Sequence, residues 1–188
     1  MAATTQQQRL TLEEFLALPE REPALEYEAG EIAPKVAPQG QHSALQSELI
    51  ERINRFARPA RRAWAFPELR VTVGEASRVP DIAVYRWERI PRTGQGEIAN
   101  QFREPPDVVI EIVSPDQSVA ALVRRCLAFL ADGVQVAALV DPADRSVLLF
   151  RRGQEPRALR GDDVLEFGEA LPGFQLPVRA LFAVLDLG

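Results

Sequence analysis

Two acids stand in sequence that otherwise reads as buried strand. Asp81 opens the apolar run Ile82-Ala83-Val84 after Val79-Pro80, and Glu111 interrupts Val108-Val109-Ile110-Glu111-Ile112-Val113. An ionised carboxylate in such a place is costly unless a cation, a metal or strong donors compensate it. If the two strands are neighbours, as consecutive strands often are, the acids converge. Two carboxylates and a backbone carbonyl beside Glu111, that of Ile112, are hard oxygen ligands of the kind that Mg²⁺ or Mn²⁺ takes. A water made acidic by such a metal can attack a phosphodiester while the cation offsets transition-state charge. Each acid also has a purely structural reading. Glu111 would then form a buried salt bridge to an arginine such as Arg125, locking helix to sheet, and Asp81 would be a turn acid before a strand.

Composition narrows the chemistry further. Cys126 is the only cysteine and His42 the only histidine, which excludes an intramolecular disulfide, a cysteine metal cluster and a His-rich zinc site. A Ser-His-Asp triad would have to use His42 and finds no convincing nucleophile. Lys35 is the only lysine, so nearly all positive charge is arginine, a planar fork for phosphate and carboxylate that does not act as a general base. The net charge of −5 gives no global basic footprint. A length of 188 residues at 46% hydrophobic content supports one compact domain over residues 10–188, after a flexible 1–9. That polar start lacks a signal-peptide core, and no run approaches the roughly 20 apolar residues of a membrane span. A soluble, cytoplasmic location is the expectation.

The elements that must position these residues are read from periodicity and punctuation. Thr11 caps a short helix over 11–19, with Glu14 completing a capping box. Leu25 to Ile32 reads as a hairpin turning at Gly30, with Glu26 just before the turn. From His42 to Ala57 apolar residues recur at Leu45, Leu49, Ile50, Ile53 and Phe56, the spacing of a helix with one buried stripe. Strands are predicted over 63–66, 68–73 and 79–85, with Gly74 and Ser77 marking a turn between the last two. The stretch 86–106, polar and carrying Pro91, Gly94 and Gly96, reads as a long, mobile surface loop. A strand over 107–113 leads to a helix predicted to start at Ser114-Pro115-Asp116-Gln117, by capping-box spacing, and to run to about Ala131. Further strands follow at 134–140, 146–150 and near Ala158 and Val164, then a helix over 178–184. The pattern is α/β, a central mixed sheet with helices on its faces.

At this point the residues resemble a family. Pro80-Asp81, Glu111-Ile112-Val113-Ser114-Pro115 and Val140-Asp141-Pro142 are similar to the Uma family of putative restriction endonucleases, a branch of the PD-(D/E)XK nuclease superfamily. So are Leu12-Glu13-Glu14-Phe15-Leu16, Leu25-Glu26 with Gly30-Glu31-Ile32, Pro38 with His42, Pro67-Glu68 and Leu171-Pro172-Gly173-Phe174. The order and spacing of these segments carry the resemblance, which spans nearly the whole chain.

The resemblance implies a restriction-endonuclease-like core and a Mg²⁺- or Mn²⁺-dependent endonuclease acting on DNA, often as a homodimer. It implies Asp81 and Glu111 as metal-binding acids and Glu26 as a further acid that contacts metal or orients water. The superfamily's lysine usually follows the glutamate by two positions, where this chain has Val113; in the Uma branch it lies on the following helix, a position that falls on Arg125. Arginine there keeps the charge and could stabilise a phosphate, but it does not readily lose a proton. Lys35, after the Gly30 turn, is a spatial substitute. The alternative is a catalytically degenerate nuclease fold that binds nucleic acid or a partner. Outside this set, Glu26 also reads as a hairpin salt-bridge partner, His42 as a helix residue without a catalytic task, and Cys126 as core packing.

Overall fold

The computed structural model describes residues 10–115 and 117–188. The expected flexible segment 1–9 lies outside the described residues. Among the described residues the helices and strands follow one another as α1 (Leu12–Leu16), β1 (Leu25–Glu28), β2 (Glu31–Pro34), α2 (Gly40–Ala57), β3 (Ala63–Pro67), β4 (Val71–Val73), β5 (Ala76–Arg78), β6 (Ile82–Arg86), β7 (Val108–Ile112), α3 (Val119–Ala131), β8 (Val136–Asp141), β9 (Ser146–Arg151), β10 (Arg157–Arg160), β11 (Val164–Leu165), β12 (Leu176–Pro177) and α4 (Val178–Phe182).

The main sheet has six strands in the order β10-β9-β8-β7-β6-β3. It is mixed: β7 and β8 are parallel and every other pair is antiparallel. A parallel pair needs a crossover, and α3 supplies it. Because β7 and β8 are central, they are apolar on both faces. Ile110 and Ile112 turn to the α2 side, where Leu45, Leu49 and Ile53 form the buried stripe that the sequence predicts. Val109, with Val113, turns to the other side, against Phe129, Leu122 and Cys126 of α3. Burial of such branched side chains is the main favourable term holding the layers, about 1.5–3 kcal/mol each.

A second, four-stranded sheet has the order β2-β1-β5-β4. Its β1–β2 hairpin turns through Ala29 and Gly30, both at positive φ, the geometry of a two-residue turn that matches strand twist. The predicted capping box of α1 is present, with Glu14 N–H donating to the Thr11 hydroxyl and Thr11 N–H to the Glu14 carboxylate.

Three sequence expectations are corrected. Ser77 is not a turn residue: it lies in β5, its hydroxyl buried against that of Thr72 at 3.1 Å, and the turn is Gly74-Glu75, with Gly74 at positive φ. The helix after β7 starts at Val119 with Ser118 as its cap, not at Ser114. The Ser114–Gln117 spacing is used all the same, the Gln117 side chain accepting from the Ser114 N–H at 3.1 Å. Nor is 86–106 a free loop. It begins with a 3₁₀ turn over Trp87–Arg89, pairs Arg92 with Ile98, and buries Ile90 and Phe102. Phe102 meets Tyr85 and Phe66 edge-on or tilted at 5.0 and 5.5 Å, and its carbonyl accepts from Thr72 N–H. Composition counted the glycines and prolines and missed the two apolar anchors.

Phe102→Ala is expected to lower stability by about 3–5 kcal/mol, as loss of a buried aromatic does. Limited proteolysis should then cut first within 86–106, and an unchanged cleavage pattern would contradict this anchoring.

Candidate active site

The antiparallel pairing of β6 with β7 sets Ile82 opposite Ile110, so the next positions outward bring Asp81 opposite Glu111. Residues directly opposite share a face, and the two acids therefore meet at one end of the central strands. Asp81 and Glu111 are both nearly sealed, each with 3% of its surface accessible. The expected convergence of the pair is thus a matter of register.

Asp81 is held on every side. Its Oδ2 accepts the Ile112 N–H at 2.7 Å and its Oδ1 the Lys35 ammonium at 2.7 Å. Its backbone carbonyl accepts the Gln46 amide at 2.8 Å and the Glu68 N–H at 3.1 Å. His42, one turn before Gln46 on α2, brings Nε2 to 3.4 Å from Asp81 Oδ1, outside hydrogen-bonding geometry, while its Nδ1 lies 3.0 Å from the Ser114 hydroxyl. Burial works to raise the Asp81 pKa, but the contact with His42 and the charge of Lys35 outweigh it, so the carboxyl sits below its ordinary value. For Lys35, burial works downward and the charges of Asp81 and Glu111 prevail, leaving the ammonium harder to deprotonate than usual.

Glu111 is held differently. Its Oε1 accepts Arg125 Nε at 2.7 Å, the one hydrogen bond to its carboxylate among the described residues. Arg125 spends its other nitrogens elsewhere: Nη1 and Nη2 reach Glu26 at 2.8 and 2.5 Å, and Nη2 also reaches the Val79 carbonyl at 3.2 Å. Glu26 in turn accepts the Val79 N–H at 2.6 Å. One guanidinium therefore serves two acids. Burial, joined by the charge of Asp81, pushes the Glu111 carboxyl up to about 7 against the pull of Arg125 and Lys35.

A buried acid at the opposite end of the same strand shows the contrast. Asp107 is fully buried, and its oxygens accept from Arg86 N–H at 2.8 Å, Arg86 Nε at 3.0 Å, Arg89 at 2.7 Å and Gln135 at 3.0 Å. That is a saturated, structural carboxylate. The cluster of Asp81, Glu111 and Glu26 against Lys35 and Arg125 carries three acids and two bases and is left one positive charge short with all groups ionised.

Of the sequence-predicted residues, Glu111, Arg125 and Glu26 are joined by hydrogen bonds, and Asp81 stands opposite Glu111 by register and accepts the Ile112 N–H. Of the sequence readings, the salt bridge of Glu111 to Arg125 is present, and so is a salt-bridge partner for Glu26, though on α3 and not within its hairpin. Lys35, weighed only as a spatial substitute, is brought to Asp81 because Lys35 N–H pairs with the Ala24 carbonyl and extends the β1–β2 hairpin by one step. Gln46 and the Ser114 hydroxyl were missed. The signal for Gln46 was its spacing of one helical turn from His42. Among the described residues no group of three or more His, Cys, Asp or Glu side chains converges as a metal cage, and no helix is long and apolar enough to cross a membrane.

Comparison with known proteins adds to this geometry. The family model described as "Uma2: Putative restriction endonuclease" matches residues 12–179. A crystal structure of a putative nuclease belonging to DUF820 from Anabaena variabilis ATCC 29413 is 45% identical, covers 94% of this chain and 99% of its own, and superposes with a TM-score of 0.89. No curated protein matches.

Two outcomes are expected of the site without metal. An acid whose folded pKa is raised holds a proton that the unfolded chain releases, so stability falls as pH rises from about 4.5 to about 7 and levels off above that. Denaturation midpoints in a chelator across that range should show the decline in the wild type and not in Glu111→Gln; equal slopes would refute it. Arg125→Met should cost about 3–5 kcal/mol, because it strands the buried Glu111, and Glu111→Gln in the same chain should recover part of the loss.

Proposed function

The chain belongs to the Uma2 family of putative restriction endonucleases, and from that premise we propose that it is a Mg²⁺- or Mn²⁺-dependent endonuclease that hydrolyses phosphodiester bonds in DNA. The observation that carries this reading is the contrast between Glu111 and Asp107: the Glu111 carboxylate accepts one hydrogen bond, on Oε1, and has too little positive charge around it, while Asp107 accepts four.

The residues fit a hard divalent cation. Asp81 and Glu111 offer carboxylates at opposed positions. Ile112 directs its N–H to Asp81, and in a strand the carbonyl of a residue points to the same side as its N–H. Asp81, Glu111 and the Ile112 carbonyl would hold the ion, which supplies an acidified water and neutralises phosphate charge when bound. The cation would also relieve the charge deficit that pushes Glu111 up.

The protein's own groups divide the remaining work. Lys35, raised in pKa and fixed on Asp81, stays an ammonium and would meet a scissile phosphate as a compact positive charge. It takes the part that the resemblance assigns to a lysine on α3. Arg125 has Nε, Nη1 and Nη2 all committed to protein acceptors, so we assign it and Glu26 to positioning: they fix the Glu111 carboxylate and leave Oε2 available. His42 and Gln46 do the same for Asp81. A cytoplasmic homodimer, placing one site on each DNA strand, belongs to the same reading.

The test is cleavage of supercoiled plasmid by the purified full chain in Mg²⁺ or Mn²⁺ against a chelator. Nicking is expected only with metal, to vanish in Asp81→Ala and Glu111→Ala, and to fall about 10²–10³-fold in Lys35→Ala, the loss of one charge-stabilising donor. A wild type that binds DNA and cuts with neither metal would sink the enzyme reading. It would favour a nuclease fold kept for binding, in which the Arg125 bridge is a structural lock.

A further inference from the structure

Both tryptophans of the chain stand together at the edge of the main sheet. Trp64 lies on the edge strand β3 and Trp87 opens the 3₁₀ turn after β6. Their rings are 12° from parallel with centroids 6.0 Å apart, and Phe66 continues the row at 5.2 Å from Trp64. Both indoles are half-buried, and they form one wall of a cleft of about 360 Å³ whose other wall is the bend over 92–98. That bend is tied down: Thr93 N–H donates to the Glu97 carbonyl, Gly96 N–H to the Thr93 carbonyl, and the Thr93 hydroxyl accepts from Gln95 and Glu97 N–H. The cleft is therefore held open by the fold itself.

Uncompensated positive charge rims it. Arg52 and Arg55 on α2 are paired with Glu48 and Glu51, and Arg86 and Arg89 beside Trp87 are spent on Asp107. Arg58, Arg61 and Arg92 are exposed and have no ion-pair partner among the described residues. Arg61 and Arg92 line the cleft with one acid, Glu97, and the Arg58 guanidinium lies 3.9 Å from the centre of the Trp64 ring. Arg58 caps α2, where a cation offsets the carbonyl end of the helix. That accounts for Arg58 and not for Arg92, which comes from another segment and is drawn to Trp87 by a 3.1 Å bond to its carbonyl. A chain of net charge −5 thus gathers three free cations around its two tryptophans.

We propose that this face binds a single strand of DNA, with unpaired bases entering the cleft against Trp87 and Trp64 and phosphates on Arg58, Arg61 and Arg92. Aromatic faces joined to a basic rim hold a strand by stacking and charge, whatever its sequence, and a duplex keeps its base faces to itself. That the strand is DNA rests on the nuclease reading, which the platform deepens. Trp64 stands opposite Tyr85, four positions from Asp81, or about 13 Å at the rise of a strand. Alternation puts Tyr85 and Asp81 on one face of the sheet, so a strand seated on the tryptophans lies on the side of the acid cluster. The competing occupant is a second copy of this chain adding a strand to β3. The edge is closed to it, because the Asn54 side chain donates to the Ala65 carbonyl at 3.0 Å and accepts the Ala65 N–H at 2.9 Å, and Pro67 has no N–H.

Because the platform holds both tryptophans, intrinsic fluorescence reads it directly. The full chain in a chelator is titrated with an oligothymidylate of about twelve nucleotides, within the usual site size, and with a duplex of the same length. The single strand should quench the fluorescence and bind about tenfold or more tightly than the duplex, the worth of a stacked base or two. Trp87→Ala should weaken binding about tenfold, by the same measure. Arg61→Ser and Arg92→Ser, at exposed positions and with melting temperatures unchanged, should each reduce the slope of log affinity against log salt by about 0.7. Equal affinity for duplex and single strand, binding without quenching, or a salt slope unaltered in both arginine variants overturns the proposal. So does self-association of the free chain that Trp87→Ala dissolves, which would give the face to a second copy. Strand binding with the stated properties and no nicking of plasmid in Mg²⁺ or Mn²⁺ keeps the platform and removes the nuclease; nicking with no fluorescence response removes the platform and keeps the nuclease.

Discussion

The guanidinium of Arg125 is the joint on which this architecture turns. It reaches Glu111 on the central sheet, Glu26 on the smaller sheet and the Val79 carbonyl between them, from a helix packed on the main sheet's face. A planar fork with five donors can do this; a lysine could satisfy one of the acids and would leave the other buried and unpaired. Arg78 repeats the device one layer out, binding Glu28 on β1 and Asp132 at the end of α3. The two arginines pin the smaller sheet across the end of the larger one, and the acid cluster lies beneath that seam.

A structural lock and a reactive site are not competing descriptions of this cluster. Asp81 is positioned by a strand amide, an ammonium and an α2 side chain, Glu111 by one arm of an arginine whose remaining arms are occupied. Each carboxylate is thus fixed by neighbours that are themselves fixed, which is the condition for a site that binds without reorganising. The cost is an excess of negative charge inside a nearly closed space, and it is concentrated on Glu111.

Much of this was legible in the sequence because it depends on local pattern. Apolar strands interrupted by Asp81 and Glu111, the stripe along α2, the capping box of α1 and the turn at Gly30 are all periodic or chemical signals that need no tertiary context. What escaped depends on contacts far apart in the chain. Lys35 meets Asp81 across 46 positions, and Phe102 packs on strands distant from it. The start of α3 was misplaced because Ser114-Gln117 and Ser118 offer rival caps, and packing decided between them. The Glu111–Arg125 bridge was the structural one of two readings open in the sequence, but the second acid that Arg125 binds, 99 positions away, was beyond any local rule.

That separation has a consequence for how the molecule comes into being. A chain emerging from a ribosome exposes Glu26 first, then Lys35 and Asp81, then Glu111, and until residue 125 has been added none of the acids it joins has its partner. Contacts so distant in sequence close only after most of the loop entropy has been overcome. A chain that stops short of Arg125 therefore holds the acids of the cluster without their arrangement, and a cell making this protein meets the assembled cluster only after that residue has emerged.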